Sequence, residues 1–333
     1  MTGSAPLALT MGEPAGVGPE IIAKAWTALR QDGAPFVVIG DLTLMRAQGV
    51  PCRSVTAPSD ASDVFATALP VLDLPVKSPP VAGRPDPANA GVTADWIEQA
   101  VSLALSGDVS GVVTAPIAKA PLYAAGFRFP GHTEFIAELT ADAPFAGTRG
   151  PVMMLTARDL RACLVTIHVP LAEVPELVTE ERVIRTARVV HEAMKRDFGI
   201  DRPRLALAGL NPHAGEGGAL GLQEIEVLTP AVESLRAEGV AITDPLPADT
   251  LFHDEARKTY DAAICLYHDQ ALIPVKTLDF WGGVNVSLGL PIIRTSPDHG
   301  TGFDIAGKGV ARPDSLIAAI RLASEMAAAR AAR

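Results

Sequence analysis

An α/β fold with parallel strands is predicted for this chain by three observations. Short, continuously apolar runs such as Phe36-Val-Val-Ile-Gly40 have the length and pattern of strands covered on both faces. They alternate with longer stretches of helical periodicity, the order expected when crossovers join parallel strands. Gly- and Pro-rich turns such as Gly12-Glu-Pro-Ala-Gly16 punctuate the junctions. At roughly 150 residues per domain, the 333 residues suggest two domains.

Taken in order, residues 6–11 read as the first strand and 19–29 as the first helix. Pro19 suits a first helical position, where its missing N–H costs nothing. Residues 36–40 are the second strand. Residues 56–87, rich in Pro, Ala, Ser and Asp, read as a surface excursion. Residues 88–106 are helical, with Val92, Trp96, Ile97, Ala100 and Leu103 at helical spacing. Strands are predicted at 111–114, 160–168, 204–210 and 262–266, and helices at 179–196, 222–238 and 314–330. No repeat at solenoid periods occurs.

Composition narrows the function classes. Apolar residues at 48% and charged residues at 20% are those of a globular protein and exclude a largely disordered chain. A net charge of −10 argues against a general nucleic-acid or anionic-membrane binder, while leaving room for a local cluster of cations. Cys52, Cys163 and Cys265 are too few and scattered for a disulfide framework or zinc ribbon, and are expected to be small buried hydrophobes. Residues 1–9 carry no Lys or Arg, so no signal peptide is expected, and no apolar run approaches a membrane span of about 18 residues. The expectation is a cytoplasmic protein with neither nucleic-acid nor membrane partners.

Several polar groups could carry chemistry. Gly12-Glu-Pro-Ala-Gly-Val-Gly18-Pro-Glu20 is neither G-x-G-x-x-G nor a P-loop, and is either a structural turn or the lining of a ligand cleft. His168, His213 and His268 each follow a predicted strand end, where parallel sheets bind ligands. Converging, they would suit a divalent ion such as zinc or cobalt; otherwise they are three separate loop histidines. Asp249 and Asp269 lie nearby as supporting groups or proton acceptors. In Gly131-His132-Thr133-Glu134, Thr133 could cap a helix and Glu134 suits its first turn. Lys276 and Arg294 lie beside apolar residues, with Asn285 between them, and could face a phosphate and a carboxylate or stand as exposed strand-edge charges. Residues 298–309 read as a Gly-rich loop, a short helix and a further Gly turn, suited to wrapping an adenosine or merely to linking two elements.

Together these pieces resemble one family, the 4-hydroxythreonine-4-phosphate dehydrogenases of the pyridoxal phosphate pathway. The resemblance is carried by Thr10-Met-Gly-Glu-Pro-Ala-Gly-Val-Gly-Pro-Glu20, Gly131-His-Thr-Glu134, Asn211-Pro-His-Ala-Gly-Glu216, Leu246-Pro-Ala-Asp-Thr250, Tyr267-His-Asp-Gln270 and the segment from Asn285 to Gly300. More widely, Gly16-Val-Gly-Pro-Glu20 and His299-Gly300 through Asp304-Ile-Ala-Gly-Lys-Gly309 look like motifs of the isocitrate and isopropylmalate dehydrogenases, which bind nicotinamide cofactors without a Rossmann fingerprint.

The resemblance implies two α/β domains with a cleft between them, residues 1–130 plus 300–333 and residues 131–299. The second would carry the metal ligands His168, His213 and His268 and a homodimer interface at which the active site lies. It implies His132, Thr133, Lys276, Asn285 and Arg294 as substrate contacts, with Lys276 also catalytic, and His299, Gly300 and Asp304 at the cofactor. The implied cofactors are NAD or NADP and one divalent ion (Zn, Co or Mg). The implied reaction oxidises 4-(phosphooxy)-L-threonine, a small phosphorylated amino acid, to a 3-oxo acid that loses CO₂ to give 3-amino-2-oxopropyl phosphate. The alternative within the same fold is a dehydrogenase of threonate or erythronate 4-phosphate.

Overall fold

The computed structural model describes residues 5–129 and 131–333. It divides into two compact units, Met1–Pro144 with Leu290–Ala328, and Phe145–Gly289 with Ala329–Arg333. The first unit begins with β1 (Leu7–Thr10), α1 (Gly18–Leu29), β2 (Phe36–Gly40), α2 (Leu42–Arg46) and β3 (Cys52–Ser54). It continues through α3 (Ala61–Val64), β4 (Leu69–Asp73), α4 (Ala90–Ser106), β5 (Val112–Thr114), α5 (Lys119–Ala124) and α6 (His132–Leu139). The second unit runs β6 (Val152–Ala157), β7 (Leu160–Leu164), α7 (Val174–Leu177), α8 (Glu180–Phe198), β8 (Arg204–Ala208) and α9 (Thr229–Ala237). It ends with β9 (Ala241–Leu246), α10 (Asp254–Arg257), β10 (Ala262–Cys265), α11 (His268–Leu278) and β11 (Val284–Leu288). The chain closes with β12 (Arg294–Pro297) and α12 (Asp314–Ala331).

The class is α/β, as the alternation of elements predicts. In the first unit the strand order is β3-β4-β2-β1-β5-β12, paired in parallel throughout. In the second it is β11-β6-β7-β10-β8-β9. There β7, β10, β8 and β9 pair in parallel, but β6 is antiparallel to both β11 and β7. The expectation of parallel strands alone fails at this point because β6 and β7 form a hairpin. Its turn is Arg158-Asp159, with Arg158 at φ 53°, the positive φ that tight hairpin turns favour.

Other boundaries also move. The units divide at 144/145 and 289/290 rather than 130/131 and 299/300, and Ala329–Arg333 falls to the second unit rather than the first. The physical reason is that α6 packs on α4, and β12 pairs with β5 from Arg294↔Val112 onward, so both belong to the first unit. The tract 56–87 is not purely an excursion, because β4 lies within it and sits between β3 and β2. Pro70 in that run argues locally against an inner strand, yet pairing on both sides overrides it. Strand β7 stops at Leu164, though the amides of Val165 and Thr166 still donate to Cys265 and Leu266. The helix expected over 222–238 is a π-helical segment, Glu224–Leu228, followed by α9. No helix forms in 298–309, which is a succession of turns with Gly302, Gly307 and Gly309 at positive φ. Pro19 takes the second helical position of α1 rather than the first.

Each unit has its own core. In the first, Trp26 and Trp96 are fully buried, and their indole N–H groups donate to the carbonyls of Phe65 (2.8 Å) and Leu74 (3.1 Å). In the second, Leu155, Leu160, Leu164, Ala263, Cys265 and Val275 belong to one cluster of buried side chains. Cys163 and Cys265 are buried as expected, whereas Cys52 is partly exposed.

Candidate active site

The second unit places the three histidines beyond the ends of neighbouring strands. β10 lies between β7 and β8 and pairs with each in parallel, so the carboxyl ends of all three face one way. His168 follows β7, His268 is the first residue of α11 after β10, and His213 follows β8. The rings of His168 and His268 stand 5.6 Å apart between centroids. Asp269 Oδ1 is 2.8 Å from His268 Nδ1, which favours the proton on Nδ1 and leaves Nε2 free to donate a lone pair. Two expected ligands are therefore brought together. Among the described residues, no group of three or more His, Cys, Asp or Glu side chains is close enough to hold a metal ion. The donor chemistry of the pair, imidazoles on adjacent strand ends, suits a borderline divalent ion.

His213 is held in an unusual backbone. Residues Pro212–Gly218 contain six consecutive positive φ values, His213 52°, Ala214 50°, Gly215 79°, Glu216 43°, Gly217 63° and Gly218 98°. Three of these residues are not glycine, and each costs of order 1–2 kcal/mol in that conformation. A buried carboxylate stabilises the entrance to this segment. Glu224 Oε1 accepts the N–H groups of Leu210 and Asn211, both at 2.8 Å, and Oε2 accepts Asn211 Nδ2 at 2.8 Å.

Lys276 lies in the last turn of α11, half-buried, with Nζ 5.2 Å from the centre of the Phe280 ring. It is thus on a helix and not at a strand edge. Asn285 on β11 has a buried Oδ1 with no hydrogen-bond partner among the described residues. A cavity of about 460 Å³ is lined by Asp249, Phe252, Tyr267, Asp269, Gln270 and Ile273, among others, and so brings both expected acidic residues to one hollow.

The first unit gathers a cationic cluster. Arg294 opens β12 and is only 3% exposed. Its Nη2 donates to Thr114 Oγ1 at the carboxyl end of β5 (2.8 Å), and Nη1 reaches Thr133 Oγ1 at 3.5 Å. Burial brings the guanidinium down to about 10, opposed by the nearby Glu134 carboxylate. It remains charged at neutral pH. Thr133 is therefore not the cap of α6. Gly131 occupies the cap position, and the Thr133 hydroxyl is turned to Arg294. Glu134 does lie in the first turn, as expected. His132 is the first residue of α6, and its Nε2 is buried without a hydrogen-bond partner among the described residues. Burial first, then the positive charges of Arg294 and Lys119, hold its pKa well below the usual histidine range. A neutral imidazole, a buried guanidinium, two hydroxyls and the N-terminus of α6 together favour an anionic group.

His299, Gly300 and Asp304 lie on the turn-rich loop after β12, and His299 Nδ1 is 2.9 Å from the Gly300 carbonyl. The Gly12–Glu20 turn backs this loop. Val17 N–H donates to Thr301 O, Lys24 Nζ donates to Gly309 O and Ala311 O, and Glu20 Oε1 accepts Ala311 N–H. A Cβ at Gly16 would stand 2.9 Å from Thr301 O, which explains that glycine. Sequence reasoning missed Thr114, Lys119, Glu224 and Gln270. Thr114 ends a parallel strand and is open to the same strand-end argument as the histidines; Lys119 and Glu224 act through tertiary neighbours, and Gln270 joins Leu266, four residues back, to the distant Gly209.

An α/β fold with histidines at adjacent parallel strand ends and a buried cationic cluster defines an enzyme of small-molecule metabolism. The family described as pyridoxal phosphate biosynthetic protein PdxA matches residues 32–323, and the chain belongs to that family. The 4-hydroxythreonine-4-phosphate dehydrogenase of Caulobacter vibrioides is 67% identical over 329 residues, covering 98% of this chain and 99% of that protein. The crystal structure of 4-hydroxythreonine-4-phosphate dehydrogenase from Klebsiella pneumoniae superposes with a TM-score of 0.87 at 39% identity, covering 97% of this chain and 100% of that one. A terephthalate 1,2-cis-dihydrodiol dehydrogenase from Burkholderia xenovorans LB400 is also similar, with a TM-score of 0.66 and 30% identity over 96% of this chain and 98% of that one.

Proposed function

We propose that the chain is a 4-hydroxythreonine-4-phosphate dehydrogenase that uses NAD or NADP and a divalent ion (Zn, Co or Mg). The observation that carries this reading is the 67% identity to the Caulobacter vibrioides dehydrogenase across nearly the whole of both chains. The relatives lend no support to a sugar-acid substrate. The cluster of Arg294, Thr133 and His132 supplies what a phosphate needs, a bidentate donor, a hydroxyl and a helix N-terminus.

With a nicotinamide bound, that group would supply the acceptor for the hydride from the hydroxyl-bearing carbon, and the hydroxyl proton would go to a base. The 3-oxo acid then breaks its bond to the carboxylate carbon. CO₂ departs, the electron pair moves onto the carbonyl as an enolate, and a proton from solvent completes the amino-ketone phosphate. A divalent ion held by His168, His213 and His268 supplies Lewis acidity to this chemistry when bound. Arg294 and His132 orient the anionic end of the substrate, and Asn285 Oδ1 offers a buried acceptor. Lys276 places a positive charge where negative charge develops. His299, Gly300 and Asp304 take the cofactor. Homodimerisation through the second unit is part of the proposal, because Leu171, Leu220, Leu222, Ile225, Ile273, Phe280 and Trp281 are large apolar side chains left exposed there.

The test follows the absorbance of the reduced nicotinamide with 4-(phosphooxy)-L-threonine and, in parallel, threonate 4-phosphate, after chelation and re-addition of each metal. Metal-dependent turnover of the amino substrate is expected. Turnover of threonate 4-phosphate alone, or of neither, overturns the reading.

A further inference from the structure

The strand ends that carry the histidines are joined by buried side chains from outside the ligand set. Gln270 is 7% exposed and sits in the first turn of α11, two residues after His268. Its Oε1 accepts the N–H of Leu266, at the end of β10, at 2.7 Å. Its Nε2 donates to the carbonyl of Gly209, at the end of β8, also at 2.7 Å. One amide thus uses its acceptor on the segment leading to His268 and its donor on the segment leading to His213. An amide side chain offers both an acceptor and a donor without any change of protonation. Thr166 extends the connection, since its hydroxyl donates to Leu266 O at 2.6 Å two residues before His168. Glu224, 4% exposed, continues it on the other side by accepting the amides of Leu210 and Asn211.

We infer that Gln270 is a positioning residue that couples the histidine-bearing ends of β8 and β10, with Thr166 and Glu224 fastening the flanks. It acts in this role through the backbone of Leu266 and Gly209. The work of the amide is to fix where the His213 and His268 segments leave the sheet, so that imidazoles far apart in sequence present a fixed geometry. The inference rests on the proposed metal function for its consequence, but the hydrogen-bonded coupling itself does not.

The experiment compares Gln270→Leu and the milder Thr166→Val with Val275→Ala, which opens a cavity in the same helix without touching the polar chain. Two readouts are taken on the full chain. Amide hydrogen exchange of the chelated protein reports residues 209–214 and 266–269. Cobalt titration, followed by visible absorbance, reports metal affinity. Gln270→Leu is expected to raise exchange in both segments and to weaken cobalt binding by about tenfold or more, the usual effect of losing a group that supports metal ligands. Thr166→Val raises exchange only around residue 266, and Val275→Ala at comparable thermal stability leaves both readouts near wild type. Unchanged exchange in either segment of Gln270→Leu overturns the coupling, whatever the metal does. Raised exchange with wild-type cobalt affinity overturns the positioning of ligands. A wild-type protein that takes up no cobalt overturns the metal reading, and the exchange measurement alone then decides the coupling.

Discussion

At Arg294 a single side chain combines burial, charge and hydroxyl partners, so its replacement has a defined signature. Lysine keeps the charge but loses the planar fork that reaches Thr114 and Thr133. Losing one charge-assisted contact costs about 1.5–3 kcal/mol. Arg294→Lys is therefore expected to raise KM for the phosphorylated substrate roughly tenfold to a hundredfold with a smaller change in kcat, read by steady-state kinetics. Equal losses in KM and kcat would place Arg294 at the reacting centre instead. For Lys276→Met the opposite split is expected, a fall in kcat that exceeds any rise in KM. His132 gives a pH prediction. Its folded pKa lies below the ordinary 6.5, so the unfolded chain binds more protons between the two values. Its contribution to stability is full above about pH 6.5 and is lost as pH falls through the window below it. Thermal unfolding of His132→Gln should show a shallower loss of Tm on acidification from neutral pH than the wild type.

The positive-φ run from His213 to Gly218 includes three residues that are not glycine, and it inverts the usual rules of substitution. Ala to Gly normally destabilises, yet at Ala214, with φ at 50°, glycine removes a steric penalty. Ala214→Gly is expected to be neutral or to stabilise by up to about 1 kcal/mol. Gly215→Ala should do the reverse. Its φ is +79°, and the added Cβ would stand 2.8 Å from Glu224 Oε2, within the group that fastens the segment. A loss of about 1–3 kcal/mol is expected. Urea unfolding of the two variants checks both signs; a stable Gly215→Ala would mean the segment relaxes freely.

Over the whole molecule, the unevenly distributed apolar surface is the feature with a consequence for assembly. Ile273 (66% exposed), Phe280 (60%) and Trp281 (51%) follow one another in and just after α11 of the second unit. If these side chains form the homodimer contact proposed above, a charge placed among them breaks it. Trp281→Glu is expected to shift sedimentation from dimer to monomer without loss of helical signal. A wild-type protein that sediments as a monomer at micromolar concentration would remove the homodimer from the proposal. No helix among the described residues is long and apolar enough to cross a membrane.

The sequence by itself determined the α/β class, half of the strands (β1, β2, β5, β7, β8 and β10), the longest helices, and the residue types available for chemistry, because periodicity and turn chemistry act over a few neighbours. The run 36–40 and the long helices near 90–106, 180–198 and 314–331 were legible for that reason. Tertiary structure decided what depends on distant partners. The antiparallel β6 hairpin, the inner position of β4 despite Pro70, and the assignment of α6 and β12 to the first unit all arise from pairing and packing across the chain. Thr133 is a local capping candidate whose hydroxyl is taken instead by Arg294, 161 residues away. Gln270 meets Gly209 across 61 residues, and Arg294 meets Thr114 across 180. Hydrogen bonds of that reach leave no periodicity in the sequence, since they are set by which strand ends the sheet makes neighbours.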